Sequence, residues 1–336
     1  MRRLAQLDAL RGIAAAAVVL YHYTGMRPGA DGVFLFFVIS GFVILVSIET
    51  KADFTSFAWA RFVHLYPVYW ASMALTIVAM LLWGEAGTLN PARLLANISM
   101  VPVLPRQFLA HTRTADWFRL ADIDDSYWTL IYELVFYLLA GVTCLVARIR
   151  RPEWPCLVWI AASALVRLAP QLGEPWGVVP LIATRFTECF VVGITIYLSY
   201  RGRADRLTWL VLAGAMLLSL IDDHGRSSGH FPFTLATSGL AVWLAARGRL
   251  WPLLLQPFPF LGRISYALYL VHQMIGRIVG DALRLHGVSQ GASLALRVAT
   301  ALILAAALTF LVERPAHDAL IGLVGRRRIP GEVSSA

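Results

Sequence analysis

The first apolar run of the chain, LDALRGIAAAAVVLYHYTG, carries an ionisable residue near each end. Arg11 and His22 flank a stretch made mostly of glycine, alanine and branched aliphatic residues. Eleven residues turn a helix by about 1100°, within about 20° of three full turns, and rise about 16 Å. The two side chains therefore share one helix face, about half a bilayer apart. Ionisable groups at such depth are costly in lipid, and they mark functional sites.

The pair suits one kind of chemistry. A histidine can take the proton from a hydroxyl as its oxygen attacks an acyl donor, or it can attack a thioester itself and carry the acyl group. Arg11, together with Arg61 in WARFVHLYPVYW, can bind the phosphates of such a donor. A purely structural role stays open for each residue. Arg11 could snorkel to the interface, and His22 could be a hydrogen-bonded core histidine.

The composition indicates that the solvent of this protein is lipid. Of 336 residues, 58% are hydrophobic and 15% are charged, and the mean hydropathy is +0.67. Ordinary globular domains carry about 25% charged residues. The sequence therefore predicts an all-α polytopic membrane protein, with about ten transmembrane helices in one bundle. The expected spans are residues 7–24, 32–48, 66–83, 128–147, 155–170, 178–199, 207–221, 232–246, 262–281 and 292–312.

The net charge of +9 is interpreted as membrane topology and not as nucleic-acid binding. Most of the arginines fall in loops on the same side as the N-terminus, as the positive-inside rule requires of a cytoplasmic side. Both termini are expected in the cytoplasm. One domain should cover residues 1–325, with a long extracytoplasmic segment at 84–127 and a polar cytoplasmic tail at 326–336. The three cysteines lack CxxC spacing, and no metal site is predicted.

Further polar residues interrupt the apolar spans. Glu133 in SYWTLIYELVFYLLA shares a helix face with Tyr137. Arg61 and His64 lie just before the third expected span, where they could also be interfacial anchors. In TRFTECF, Arg185 and Glu188 have the spacing of a helical ion pair, whose role could be structural or in binding. The run GRISYALYLVHQMI adds three more polar groups: Ser265, Tyr266 and His272.

Six motifs, in this order, resemble the membrane acyltransferase 3 family over nearly the whole chain. They are LDALRGIAAAAVVLYH, GVFLFFVISGF, ARFVHLYPVYW, WTLIYELVFYL, GRISYALYLVHQ and VERP. The fourth is similar to the branch that includes exopolysaccharide acetyltransferases. The chain departs from the family pattern at Phe34, where aspartate is usual, and at His64, where a second arginine is usual.

The resemblance implies an O-acyltransferase that moves an acyl group, commonly acetyl from acetyl-CoA, to a hydroxyl of an exopolysaccharide or other surface glycan. The expected partners are acyl-CoA, the sugar acceptor and the bilayer, without a permanent cofactor, and the expected location is the bacterial inner membrane. His22 and Glu133 are the expected catalytic residues. The expected donor-binding residues are Arg11, Arg61, His64 and Arg185, and the expected acceptor or pore-lining residues are Trp128, Tyr132, Tyr137, Ser265, Tyr266 and His272. The alternative is a transporter or flippase, which would use the same intramembrane charges as a substrate path.

Overall fold

The structure, a computed structural model, describes residues 4–85, 87, 89, 91–100, 122–168, 186–221 and 230–326, and every regular element in these ranges is a helix. The α-helices are α1 (Ala5–Thr24), α2 (Gly32–Glu49), α3 (Phe54–Trp83), α4 (Pro91–Ile98), α5 (Leu130–Gly141), α6 (Glu153–Leu168), α7 (Phe186–Tyr200), α8 (Arg206–Leu218), α9 (Phe231–Ala246), α10 (Phe258–Val271), α11 (Gln273–Leu285), α12 (Gln290–Leu308) and α13 (Arg314–Arg326). Two π-helical segments, Val142–Val146 and Thr309–Glu313, extend α5 and join α12 to α13. Short 3₁₀ helices occupy Arg27–Asp31, Asp125–Thr129 and Trp251–Leu254.

Length and composition identify this fold as that of a membrane protein. Within the described ranges, four helical stretches are long and apolar enough to cross a bilayer: Arg27–Glu49, Phe54–Trp83, Asp125–Val146 and Gln290–Ile321. The apolar helices α7, α8, α9 and α10 are shorter. Leu82 and Leu311 leave 84% and 75% of their surface exposed, which suits contact with lipid and not with water. The all-helical membrane class is confirmed, and the number of ten spans stays a prediction.

The third expected span starts earlier than the apolar pattern indicated. Helix α3 begins at Phe54, because the Asp53 carboxylate accepts a hydrogen bond of 2.7 Å from the backbone N–H of Ser56 and caps the first turn. Arg61 and His64 consequently lie inside this helix. Their expected place in the loop before the span was wrong, since apolar periodicity reports burial and not the position of a polar cap.

The ninth expected span, 262–281, is two helices, which corrects the sequence interpretation. Helix α10 ends at Val271 and α11 begins at Gln273, with His272 between them. At this point the backbone N–H of Met274 donates to Asp124 Oδ2 at 2.9 Å, and the Tyr23 hydroxyl donates to the carbonyl of His272 at 2.7 Å. Polar groups from two other segments of the chain therefore bind the backbone where one helix gives way to the next.

The described part of the long segment 84–127 is packed on the bundle. The Tyr69 hydroxyl of α3 donates to the carbonyl of Asn97 in α4 at 2.7 Å. The Asn97 amide oxygen in turn accepts from the backbone N–H of Ile123 at 3.1 Å. Residues 101–121, like most of the expected tail at 327–336, lie outside the described residues.

Two helix pairs approach each other backbone to backbone. In the pair α1 and α10, a Cβ atom on Gly12 would lie 2.4 Å from the backbone nitrogen of Gly262. In the pair α2 and α7, a Cβ atom on Gly193 would lie 2.1 Å from the carbonyl oxygen of Val38, and one on Gly41 would lie 2.2 Å from that of Phe190. Glycine permits this approach, which is how helices in membranes gain packing energy.

Gly193→Ala should therefore destabilise the protein, because its methyl group would force α7 away from the backbone of α2. Overpacking of this kind costs about 1–3 kcal/mol. The measurement is the midpoint of thermal unfolding in detergent. Gly214→Ala in α8 is the matched control, since a Cβ atom there meets Ile160 at an ordinary 3.6 Å. Equal midpoints for the two variants would contradict the close contact between α2 and α7.

Candidate active site

A cavity of about 400 Å³ opens beside the N-terminal half of α1, between α2, α3, α5 and α10. Its volume is in the range of small-molecule sites. Residues that the sequence had marked line it together: Arg11, Arg61, His64, Glu133, Tyr137, Ser265 and Tyr266. Others were missed: Asp8, Ser40, Thr129, Arg263, Tyr269 and Glu313. The cavity therefore brings most of the expected donor-binding residues to one place.

Arg11 and Arg61 are two of the three arginines that line this cavity. Arg11 is held by Asp8, with 3.2 Å between Nη1 and Oδ1. The Arg61 guanidinium lies 5.5 Å from the centre of the Tyr137 ring. Its Nε is buried and has no hydrogen-bond partner in the part of the chain that the structure describes. A buried guanidinium N–H without an acceptor is costly, so a ligand oxygen would stabilise it.

Glu133 is held in the wall of the cavity by two hydroxyl groups. Its Oε1 accepts a hydrogen bond of 2.9 Å from Ser40 of α2 and a second one from Tyr137, four residues along its own helix. The expected face shared by Glu133 and Tyr137 is thus present. These hydroxyl donors stabilise the partly buried carboxylate, and they orient it toward the cavity that Glu133, Ser40 and Tyr137 line.

His22 lies near the other end of α1 and does not line the cavity. Its Nδ1 is 3.0 Å from the carbonyl oxygen of Val18 and 3.0 Å from Nε2 of His272. The two imidazole rings are 4.9 Å apart between centroids. His272 is fully buried, whereas the residue His22 keeps an exposed surface. The pair forms a histidine dyad at the junction of α1, α10 and α11.

The hydrogen-bond partners determine which ring nitrogen of each histidine carries the proton when both residues are neutral. A carbonyl oxygen can only accept, so the 2.7 Å contact with Tyr269 requires the proton on Nδ1 of His272. Nε2 of His272 is then an acceptor, and Nδ1–H of His22 donates to it and to Val18. Nε2 of His22 is left with a lone pair and without a hydrogen. In this tautomer His22 can act as a base or as a nucleophile, with His272 as the residue that positions it.

Tyr269 stands between the cavity and the dyad. It lines the cavity together with Thr129, and the two hydroxyl groups are 2.8 Å apart. Its ring centroid is 5.7 Å from that of His272. Tyr266, Tyr269 and His272 follow one another at three-residue spacing, so Tyr269 is a near neighbour of both the cavity residue Tyr266 and the dyad residue His272. The sequence analysis had not selected Tyr269.

Asp124 holds the helix junction at His272, and sequence reasoning missed it. It belongs to the segment 84–127, which was expected to be extracytoplasmic, but it is not an exposed loop residue. Asp124 is instead fully buried, where its Oδ1 accepts from the backbone and the hydroxyl of Ser126 and its Oδ2 accepts from Met274. The Asp-x-Ser spacing could have indicated a cap. The contact with Met274 spans 150 residues of chain, and only the fold creates it.

The aromatic residues before and after Leu130 pack on α7. The Tyr132 and Trp128 rings lie 4.9 Å and 5.9 Å from the ring of Phe186, and neither of the two residues is among those that line the cavity. The unusual Phe34 is buried 4.8 Å from the ring of Phe231. These rings form an aromatic contact between helices, and their expected role at the acceptor stays a prediction.

Glu188 pairs with a cation that the sequence analysis did not select. Arg167 donates to both of its carboxylate oxygens, at 2.6 Å and 3.0 Å, and also to the carbonyl of Leu218 at 3.1 Å. Both charges are buried, and the two-point geometry joins α6 to α7. Arg185, which was expected to pair with Glu188 and to bind the donor, lies outside the described residues.

A helical membrane protein with a polar cavity and a histidine dyad has the features of a membrane-embedded enzyme. Comparison with known proteins identifies which one: the acyltransferase domain family, Acyl_transf_3, matches residues 4–314. The chain is also 27% identical over 377 positions to Acyltransferase MdmB of Streptomyces mycarofaciens, across 97% of this chain and 94% of that protein. No solved structure matches. The chain therefore belongs to the acyltransferase 3 family, as its motifs indicated, and it is a transferase.

Asp124→Asn should loosen the junction of α10 and α11. The amide replaces one accepting oxygen by a donor, so either Met274 or Ser126 would face a group that cannot accept. A buried donor left in this state costs about 1–3 kcal/mol. Hydrogen–deuterium exchange should show faster exchange at the Met274 amide, and the unfolding midpoint should fall. Asp125→Asn, at the exposed neighbouring residue, is the control. Unchanged exchange at Met274 would contradict this role.

Proposed function

We propose that this protein transfers an acyl group, in particular acetyl, from acyl-CoA to a hydroxyl group of a sugar in an exopolysaccharide or other surface glycan. The observation that carries the proposal is the histidine dyad, in which His272 leaves Nε2 of His22 unprotonated and on an exposed residue. Membership of the acyltransferase family supports transfer and not transport as the activity of these intramembrane charges.

The donor enters, in this proposal, from the end of the bundle that holds Arg11. Arg11 and Arg61 bind the phosphates, with His64 stacked on Tyr266 behind them at 5.7 Å between ring centroids. The pantetheine arm then extends along the face of α10. For its thioester to reach His22, the Tyr269 side chain has to turn away from Thr129.

His22 is the catalytic residue of the proposed reaction. Its Nε2 takes the proton from the acceptor hydroxyl as that oxygen attacks the thioester carbonyl carbon. The carbon–sulfur bond breaks, the sulfur leaves with the electron pair, and the imidazolium returns the proton to the CoA thiolate. Glu133 lies in the cavity among Ser40 and Tyr137, so its proposed role is to keep the donor site polar and ordered.

The arginine distribution supports a topology in which the Arg11 end faces the cytoplasm, where acyl-CoA is made. We place the protein in the bacterial inner membrane, with ten spans and with both termini in the cytoplasm. The dyad then lies toward the extracytoplasmic side, where a surface glycan is accessible. A path from Arg11 to His22 carries the acyl group across the intervening membrane thickness.

His22→Gln should fold, insert in the membrane and bind acyl-CoA, but its transfer rate should fall by about 10²–10⁴-fold if His22 is a general base. The rate is measured as CoA released by the purified protein with acceptor, and as acyl groups on surface glycans by mass spectrometry of cells with and without the protein. Trapping of an acyl-histidine by rapid quench would assign the covalent route instead. A folded His22→Gln variant at the parent rate would refute the proposal.

A second variant tests the role of His272. His272→Gln should lower kcat and leave KM for acyl-CoA unchanged, because the residue positions His22 and does not touch the donor site. A change in KM alone would remove His272 from this role.

Arg11→Ala should weaken acyl-CoA binding by about tenfold to a hundredfold, because a charge-assisted hydrogen bond is worth about 1.5–3 kcal/mol. Arg11→Lys should restore only part of the affinity, since a lysine keeps the charge and loses the planar two-point contact. The measurement is a binding isotherm with acyl-CoA on the purified protein. Arg206→Ala, at an exposed arginine outside the cavity, should bind as the parent does. Parent-like affinity in Arg11→Ala would exclude this arginine.

A further inference from the structure

A second polar cavity, of about 640 Å³, lies at the His22 end of α1, between α11 and α12. We call it the Arg297 cavity. Its lining includes three arginines and one acidic residue, together with hydroxyl groups and the first turn of α12: Tyr23, Thr24, Arg277, Asp281, Arg284, Gln290, Ser293 and Arg297. Its arginines lie outside the six sequence motifs, and the cavity is separate from the proposed donor site.

Two of these arginines are neutralised by nearby carboxylates. Arg277 donates to both oxygens of Glu85, at 2.7 Å and 2.8 Å, and its Nη1 is 3.6 Å from Asp281. Arg284 donates to the other oxygen of Asp281. Both guanidinium groups therefore have acidic partners on the cavity wall.

Arg297 has no such partner among the residues that the structure describes. Its Nε donates to the carbonyl of Gly276 at 2.8 Å, and its guanidinium lies 4.1 Å from the centre of the Tyr23 ring. These contacts leave both Nη groups without a hydrogen-bond acceptor in the described ranges. Arg297 is in a helix that is long and apolar enough to span the membrane, where a cation without a counter-ion is costly. The cavity therefore has one positive charge in excess, at a fixed position.

The backbone around Arg297 is shaped for this arrangement. A Cβ atom on Gly276 would lie 2.3 Å from the Tyr23 hydroxyl oxygen, and one on Gly280 would lie 3.1 Å from Arg297 Nε. Two glycines, four residues apart on one face of α11, thus make room for the tyrosine and for the arginine that stacks on it. The first-turn N–H groups of α12 add positive partial charge to the same space.

Tyr23 connects this cavity to the dyad. Its ring supports Arg297 on one side, and its hydroxyl donates to the carbonyl of His272 at 2.7 Å. His22 is the preceding residue of α1. A molecule that binds Arg297 is therefore held at the same end of the bundle as the exposed histidine, opposite the donor site.

We infer that the Arg297 cavity binds an oxyanion, a phosphate or a carboxylate, carried by the acyl acceptor. The acceptor is then an anionic sugar or glycan unit, whose charge is anchored at Arg297 while one of its hydroxyl groups reaches His22. The planar guanidinium can contact two oxygens of such a group at once. This inference rests on the proposed function, because it assigns the second substrate of the same reaction.

The test measures binding without any acyl donor, on purified protein in phosphatidylcholine nanodiscs. The probes are glucose 1-phosphate and glucuronic acid, with glucose as the neutral counterpart. The parent should bind both anionic sugars more tightly than glucose. Arg297→Gln should lose about tenfold or more of that affinity, the equivalent of one charge-assisted hydrogen bond, and Arg297→Lys should lose less. Arg249→Gln is the control, because Arg249 also stacks on an aromatic ring, 5.4 Å from Trp243, away from this cavity.

Three results would overturn the inference. The first is equal binding of the anionic sugars by the parent and by folded Arg297→Gln. The second is equal binding of glucose and glucose 1-phosphate by the parent. The third comes from nanodiscs that contain phosphatidylglycerol: if this lipid blocks the sugar phosphate in the parent, the natural occupant is a lipid headgroup. Because no acyl transfer is measured, these outcomes are independent of the His22→Gln experiment, whose failure would refute the proposed function alone.

Discussion

Helices α1 and α10 are in backbone contact at Gly12 and Gly262. A Cβ atom on either glycine would clash with the backbone of the other helix. This contact decides the geometry of both ends of the site. On one side of it, Arg11 faces the cavity that Ser265 and Tyr266 also line. Two to three turns further along α1, the same pair of helices brings His22 to His272. A bulkier residue at either glycine would push the two helices apart, so it would separate the two histidines and also widen the cavity.

Three buried or partly buried carboxylates of this bundle are satisfied by the chain itself, because lipid offers no hydrogen bonds. Glu133 accepts from hydroxyl groups, Glu188 is paired with Arg167, and Asp124 binds the backbone N–H of Met274. The last of these contacts lies at a break in a helix, and such breaks occur in membranes only where protein covers the backbone. His272 lies at this break, where its carbonyl accepts from Tyr23 and the nearby Met274 N–H donates to Asp124, so other segments of the chain hold its backbone in place.

The two cavities divide the proposed reaction between the ends of the bundle. The cavity at Arg11 offers guanidinium groups and aromatic rings, which suit a donor with phosphates and a long arm. The Arg297 cavity offers one cation beside Tyr23 that no carboxylate in the described ranges neutralises, which suits a small anionic group. Tyr269 and the dyad lie between them. An enzyme whose substrates come from opposite sides of a membrane needs this separation, since a continuous open path would leak solutes.

The sequence by itself determined the membrane class through its composition and the family through its motifs. Its periodicity determined the helical content and the shared face of Arg11 and His22, because periodicity is a property of a single helix. It also identified seven of the residues that line the Arg11 cavity, since polar residues in apolar spans are conspicuous. Only the tertiary structure decided that His22 meets His272, that Glu188 pairs with Arg167, and that the ninth expected span breaks at His272. It alone showed that Arg297 has no counter-ion among the described residues. These features depend on contacts between residues far apart in the chain, and the periodicity of one helix carries no information about the partner that packs against it.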